Sequence, residues 1–356
     1  MKRGTVGTPE LMKSLNRNNV LYFVQDHGPV SQADITRELK MSKATVSTIV
    51  RELVEEGLLM EAGKADASVG RRPTLLELNP GSYSAVVADL SRPRPLIAVV
   101  SLAGEIVSRT TGPDLWSLKG QSALEEFLRF VESEVKSARK HFQRVCGVGI
   151  AVPGIATTPV GVVRSSSWLG WNDVPLGPLV SESTGLLTRV DNDVNLAAQG
   201  EMWKGAAKNA RNLVMLQIGD GIGAAIVIDR QLYRGSNDAA GEVGHMILEQ
   251  SKFGQDFSKL GWLEVKGKEA QTSNREQYKN WIMMAICNIV ACINPDLFLL
   301  SGNMIEEAGF DVELAIDLVR RTNLVGCEIR CGDLGSDAVL IGAAQAVFQA
   351  HQLVRP

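Results

Sequence analysis

Five polar side chains between positions 192 and 264 have the makings of a polyol site: Asn192, Asp193, Glu242, His245 and Glu264. A sugar hydroxyl is both donor and acceptor, so it is held best by rigid groups of both kinds. Asn192 offers both, Asp193, Glu242 and Glu264 accept, and His245 can do either. A plainer role is also open at this stage, in which Glu242 and His245 cap a turn. A second chemistry lies in the first eighty residues. Ser42, Lys43, Thr45, Ser47, Thr48 and Arg51 fall within one short stretch, and Arg71-Arg72 stands between Gly70 and Pro73. Small hydroxyl side chains reach base edges or phosphates, and Lys43 can neutralise a phosphate. Two arginines held by Gly and Pro make a narrow cationic finger suited to a minor groove.

The elements that must carry these residues follow from periodicity. Leu11, Leu15, Val20, Leu21 and Val24 form a helical stripe over about 9–26, ended by Gly28-Pro29. Ser31 caps a second helix, with Asp34 favouring its positive end, and Ser42 caps a third that runs to Glu56. Only Lys40-Met41 links the second and third. Two short helices joined this tightly are the layout of a helix-turn-helix, with the third helix in the major groove. Leu58–Met60, a polar turn over 63–70 and Thr74–Leu78 then predict strand, loop and strand, a wing with Arg71 and Arg72 at its tip.

From Ser82 the pattern changes. Runs at Ser84–Leu90, Leu96–Leu102 and Glu105–Arg109 predict a three-stranded meander, followed by a helix over 122–142 and a buried strand Val145–Val152. A strand at Leu187–Val190 and a helix at Asn195–Trp203 bracket Asp191-Asn192-Asp193. Strands are predicted at Asn212–Gln217, Ala224–Ile228 and Leu297–Ser301, and helices at Arg275–Ile293 and Ser336–Gln352. Meanders followed by helices, twice over, suggest two α/β halves around a cleft near 190–195.

Bulk properties bound the class. The 356 residues are 45% hydrophobic and 22% charged, the balance of a folded chain with real cores. Net charge is -3 overall, +1 over residues 1–80 and -4 over the rest, so nucleic-acid binding must rest on local placement. The five cysteines form no CxxC pair, which reads as reduced thiols in a cytoplasmic protein. Neither a signal peptide nor a membrane span is expected.

Several stretches then resemble the ROK family (repressors, open reading frames and sugar kinases), specifically its repressor branch. They are Val152-Pro153-Gly154, Asp191-Asn192-Asp193, Leu232-Tyr233-Arg234-Gly235, the run from Ala239 to His245, and Gly261-Trp262-Leu263-Glu264. The resemblance implies an α/β fold: a winged helix-turn-helix over 1–80 and, over 81–356, a two-lobed actin/hexokinase-like, ribonuclease H-like ATPase body for ligand binding and oligomerisation. It implies that Gly154, Asn192, Asp193, Glu242, His245 and Glu264 converge on a hexose-like ligand. In a kinase member Asp193 would be the general base.

Three departures separate this chain from the kinases. Where they have Gly-Gly-Thr after the first-strand Asp, Asp89-Leu90 is followed by Ser91-Arg92-Pro93; Pro93 has no N–H to offer a phosphate. Their Gly-Thr-Gly is Gly219-Asp220-Gly221 here, and a carboxylate repels a triphosphate unless a metal intervenes; their Gly-Gly after Leu297–Leu300 is Ser301-Gly302. Their zinc cysteines, at +10, +12 and +17 from the His, are Gln255, Phe257 and Trp262, which cannot form a sulfur site. The expectation is therefore a cytoplasmic, sugar-responsive repressor of carbohydrate genes, with no enzyme activity, metal or cofactor. Its partners would be operator DNA and a sugar or sugar-phosphate effector, in a homodimer or homotetramer. The alternatives are an ATP-dependent sugar kinase with a DNA-binding appendage, and a constitutive DNA-binding protein whose body only oligomerises.

Overall fold

The computed structural model describes residues 8–64, 73–142, 144–219, 221–257, 260–270, 275–306 and 310–355. The N-terminal head comprises α1 (Pro9–His27), β1 (Val30–Ser31), α2 (Gln32–Leu39), α3 (Lys43–Glu55), β2 (Leu59–Lys64) and β3 (Thr74–Leu78). Each helix starts where a side chain satisfies a free backbone N–H. Thr8 caps α1 ahead of Pro9, Ser31 and Asp34 form a reciprocal capping box on α2, and Ser42 Oγ accepts from Thr45 N at 3.1 Å on α3. Lys40 turns the chain between α2 and α3 in the left-handed region, at φ 53°. β2 and β3 form the antiparallel wing, and β1 adds to its other edge.

The first lobe contains β4 (Ser84–Asp89), β5 (Leu96–Ser101), β6 (Ile106–Thr111), α4 (Leu115–Leu118), α5 (Gly120–His141), β7 (Val145–Val152), β8 (Ile155–Thr157), β9 (Val162–Ser166), β10 (Trp171–Val174), α6 (Leu176–Thr184), β11 (Leu187–Asn192) and α7 (Asp193–Lys204). The second contains β12 (Leu213–Ile218), β13 (Ile222–Ile228), β14 (Gln231–Tyr233), α8 (Trp262–Ala270), α9 (Arg275–Ile293), β15 (Leu297–Ser301), α10 (Asn303–Glu306), α11 (Val312–Thr322) and β16 (Glu328–Cys331), after which α12 (Ala338–Ala350) crosses back onto β4, β7 and β11 of the first.

The two lobes repeat one topology. In the first sheet β4, β5 and β6 form an antiparallel meander, and β7 and β11 extend it in parallel from β4. In the second sheet β12, β13 and β14 form the meander, and β15 and β16 extend it from β12. Strand alternation fixes the layers. Ala85 and Val87 of β4 join the core shared with α7 and α12, whereas Val86 and Ala88 pack with α5. Leu213 and Met215 of β12 join that same central core, and Val214 and Leu216 pack with α9. Helices α7 and α12 thus lie between the two sheets. They can approach so closely only through glycine: a Cβ on Gly200 would lie 2.1 Å from Ala338 O, and one on Gly342 1.7 Å from Leu196 O.

The C-terminal tail ties the body to the head. Leu353 and Val354 are buried in the cluster that contains Val20 and Leu21 of α1. Asn18 donates to Gln352 Oε1 at 3.1 Å, and Arg355 pairs with Asp26 at 3.2 Å. Arg144 donates to Glu56 O at 2.9 Å and to the Tyr83 hydroxyl at 3.0 Å.

Most expected elements are present, with shifted ends. β11 continues to Asn192 and α7 begins at Asp193, because Asn192 itself caps α7 with its side-chain oxygen. The small sheet β8–β9–β10, α6, α8 and the segment α10–α11–β16 lie where no element was expected. The strands among them are short and take their order from packing rather than from a clear period, whereas α11 is amphipathic and capped by Asp311.

Candidate sugar cleft and DNA-binding helix

The N-terminus of α7 organises the cleft. Asn192 Oδ1 accepts from Val194 N at 2.9 Å and Asn195 N at 3.1 Å, and Asn192 Nδ2 donates to Gly154 O and to Asp193 Oδ1, each at 3.0 Å. Gly154 has φ +119°, and a Cβ there would sit 2.2 Å from Ser165 O, so glycine is the residue this approach permits. Asp193 Oδ2 also accepts from Gln217 Nε2 of β12 at 3.4 Å, which brings the second lobe to the same carboxylate. The Asp193 carboxyl is pushed up to about 7, first by burial, then by the charge of Asp89, with Glu242 adding to it.

Glu242 and His245 come from a short 3₁₀ turn after β14, and Glu264 from the first turn of α8. Glu264 accepts from Gly261 N at 3.2 Å, and a Cβ on Gly244 would meet its Cγ at 2.7 Å. The Glu242 carboxyl is raised by desolvation and then by Glu264, with His245 pulling it back. Burial and the Glu264 charge push the Tyr278 hydroxyl up to about 12. Gly154, Asn192 and Asp193 are joined by hydrogen bonds, and Glu242, which like His245 is exposed, lies within electrostatic reach of Asp193, His245 and Glu264. A cluster of acceptors, one amide and one imidazole, fed by three separate elements, is what a polyol requires.

Gln217, Tyr278, Asp191 and Arg234 also shape this region, and none of them was given a role from sequence. Arg234, after β14, makes a two-pronged ion pair with the buried Asp191, its Nη1 lying 2.9 Å from Oδ1, and so ties the lobes together beside the cleft. Both residues stand inside recognised stretches, but nothing in their spacing pairs them.

The phosphate-facing corner of the first lobe is closed from within. Asp89 is fully buried; its Oδ1 accepts from Ser91 N at 2.9 Å and its Oδ2 from Arg92 Nε at 3.0 Å. The backbone N–H of Ser91 and the Arg92 guanidinium are thereby committed to an internal carboxylate. These residues do not suit a nucleotide phosphate. Asp220 lies outside the described residues. At the positions of the family's zinc cysteines, Gln255 is exposed, Phe257 is half-buried against an apolar cluster, and Trp262 is fully buried edge-on to Trp281, centroids 4.9 Å apart. These side chains do not suit zinc. Among the described residues no group of three or more His, Cys, Asp or Glu could hold a metal ion.

In the head, α3 displays Lys43, Ser47, Thr48 and Arg51 to solvent while Val46, Ile49, Val50 and Leu53 face inward. Ser42 is exposed but its hydroxyl is engaged as the cap, hydrogen-bonded to the Thr45 hydroxyl at 2.8 Å. Arg71 and Arg72 lie outside the described residues. No helix among the described residues is long and apolar enough to cross a membrane.

Comparison with known proteins fits this picture. Residues 96–259 match the ROK family profile and residues 19–72 the MarR family profile. The xylose repressor of Caldicellulosiruptor bescii is 34% identical over 247 residues, covering 68% of this chain and 61% of the repressor. The chain spans about three-fifths of the length of the two Caldicellulosiruptor xylose repressors it matches, one of them putative. A glucokinase of Halalkalibacterium halodurans is 27% identical over 305 residues, 71% of this chain and 91% of the kinase. Among solved structures, a ROK family transcriptional regulator described as a homologue of the E. coli MLC protein superposes with a TM-score of 0.81, at 22% identity, over 96% of this chain and 98% of its own. At that identity the likeness speaks for the fold: a winged helix joined to a two-lobed, kinase-like α/β body. The chain belongs to the ROK family and carries a MarR-type winged helix ahead of its kinase-like domain.

Proposed function

We propose that this protein is a sugar-responsive transcriptional repressor. Residues 1–80 bind operator DNA, residues 81–356 bind the sugar and oligomerise, and phosphoryl transfer has been lost. The observation that carries this reading is the coexistence of an exposed recognition helix with a carboxylate-lined cleft whose phosphate-facing corner is shut by Arg92 on Asp89. Lys43, Ser47, Thr48 and Arg51 contact the operator from α3, with Ser42 and Thr45 at its start and Arg71 and Arg72 on the wing. Gly154, Asn192, Asp193, Glu242, His245 and Glu264 hold the sugar. The acidic walls favour a neutral sugar over its phosphate, since like charges repel. Two heads on a homodimer or homotetramer read a pseudo-palindromic site in the cytoplasm.

The test has two arms. An operator is selected from random duplexes, and its affinity is measured with and without xylose, glucose, N-acetylglucosamine and their phosphates. ADP release is measured with ATP–Mg²⁺ and each sugar. The expected result is that one neutral sugar changes DNA affinity by about tenfold or more, within the usual range of coupling energies, and that no ADP forms. Sustained ADP release would restore the kinase reading, and DNA affinity indifferent to every sugar would favour the constitutive one. Lys43→Ala should lower the salt dependence of binding by about one unit of log–log slope. An unchanged slope would remove Lys43 from the interface.

A further inference from the structure

A second cavity lies behind the cleft, against the outer strand β11. It has a volume of about 250 Å³ and is bounded by β11, α7, α12, Thr158 and Arg234. Asn192, Asp193, Glu242 and Glu264 do not line it; it adjoins the sugar cleft across the Asp191–Arg234 pair. Two guanidinium groups and one carboxylate border it. Arg234 is already neutralised by Asp191, but Arg189 has no acidic partner among the described residues; its Nη1 makes only a long contact, 3.5 Å, to Thr188 O. The wall thus carries one uncompensated positive charge. Most of the remaining lining is apolar or small, including Val190, Leu196 and Ala346, with Gln199 and Gln349 as polar exceptions. A cationic fork beside apolar wall in a metabolite-sized space suits a small organic monoanion.

The same cavity touches the tether of the head. Gln349, on its α12 side, donates to Arg355 O at 3.0 Å, and the Arg355 guanidinium pairs with Asp26 of α1. A ligand that draws on the Gln349 amide would loosen the tail that holds α1. We infer that this cavity is a second effector site, which binds a small monocarboxylate on Arg189 and acts on the head through Gln349 and the C-terminal tail. Binding at this site does not depend on the sugar reading; only its consequence for DNA binding does.

Titration calorimetry on the full chain tests the site, with lactate, pyruvate, succinate and inorganic phosphate as probes at matched ionic strength. The expected result is saturable binding of a monocarboxylate, weakened about tenfold or more in Arg189→Gln, the loss associated with a charge-assisted hydrogen bond. Ala346→Met, which fills the cavity and leaves Arg189 in place, should also weaken it. Far-UV melting of both variants establishes that they fold. Hydrogen exchange then tests the coupling. The monocarboxylate should speed exchange of the α1 amides around Val20 and Leu21 in the parent chain. In Gln349→Leu, which lacks both the amide and its bond to Arg355 O, those amides should already exchange faster than in the parent chain and should not respond further to the monocarboxylate. The site is overturned by an absence of saturable binding, by affinities equal in parent and Arg189→Gln, or by tighter binding of phosphate than of either monocarboxylate. The coupling is overturned if α1 exchange does not respond in the parent chain.

Discussion

The two lobes share a strand order and a direction of pairing, yet they meet the cleft with opposite chemistry. The first offers the β4–β5 turn, where Ser91 and Arg92 fold back on the buried Asp89 and use up the donors that a phosphate would need. The second offers Gly219 and Gly221: a Cβ on Gly219 would crowd Asn303 Oδ1 at 3.1 Å, whereas one on Gly221 would find its nearest atom, Glu264 Oε1, at 3.8 Å. The lobe that closed its turn did so with three side chains and no change of topology. Architecture therefore sets where a ligand can sit, and turn composition sets which ligand it is.

Between the lobes run two ties, and cutting them gives the largest effects. Glu201 of α7 is fully buried, and its carboxylate accepts from Ala206 N at 2.7 Å, Leu334 N at 2.8 Å and Asp333 N at 3.2 Å. Glu201→Ala leaves those N–H groups without their acceptor and should cost about 3–5 kcal/mol in urea unfolding. A loss below about 1 kcal/mol would mean that water replaces the carboxylate. Asp191→Ala strands the Arg234 guanidinium, whose side chain is 24% exposed and so partly rescued by solvent. The expected cost is about 2–3 kcal/mol, accompanied by weaker sugar binding because the lobes are no longer held together. Unchanged sugar affinity would make the tie purely structural.

A smaller effect, with a diagnostic sign, comes from Asp193. Its folded pKa of about 7 lies above the ordinary 3.8, so the native state keeps a proton that the unfolded chain gives up between those values. Stability of the parent chain therefore falls as pH rises through that window and levels off above it. Asp193→Asn removes the slope. Its melting temperature should gain on the parent between pH 4 and pH 8, by about 2–4 °C at the upper end, while its sugar binding falls. Parallel melting curves would show that the carboxyl is not desolvated. The smallest effect is at the closed corner. Arg92, 42% exposed on its side chain, leaves Asp89 with its Ser91 partners when removed. Arg92→Ala should cost about 1 kcal/mol and should not create ATP binding, because Pro93 still withholds an N–H. ATP-dependent stabilisation of that variant would show that Arg92 alone blocks the nucleotide.

What could be read in the chain depended on range. The helix-turn-helix was legible to within a residue or two, because Ser31 and Ser42 act on N–H groups three positions away and the apolar stripe of α3 has one period. The meanders and α9 were legible for the same reason. The candidate sugar residues were legible as a set through the stretches that resemble the ROK family, although they come from β11–α7, a 3₁₀ turn and α8. The strands at 155–174 and 328–331 were not, since they run three to five residues and take their order from neighbours, whereas α11, capped by Asp311 and amphipathic, carried a period that went unread.

By itself, then, the sequence determined the local structure and the available chemistry: capped helices, alternating strands, a third helix that displays Lys43 and Arg51, and a set of polar groups suited to a polyol without zinc thiolates. Only the tertiary structure decided how those groups are used. It buried Asp193 beside Asp89, paired Asp191 with Arg234 across 43 positions, set Arg92 on Asp89, and left Arg189 unpaired on a cavity that reaches the tail of the head. Caps and periods are short-range and can be read along the chain. Desolvation and ion pairing depend on which distant segments exclude water together, and only the folded packing fixes that.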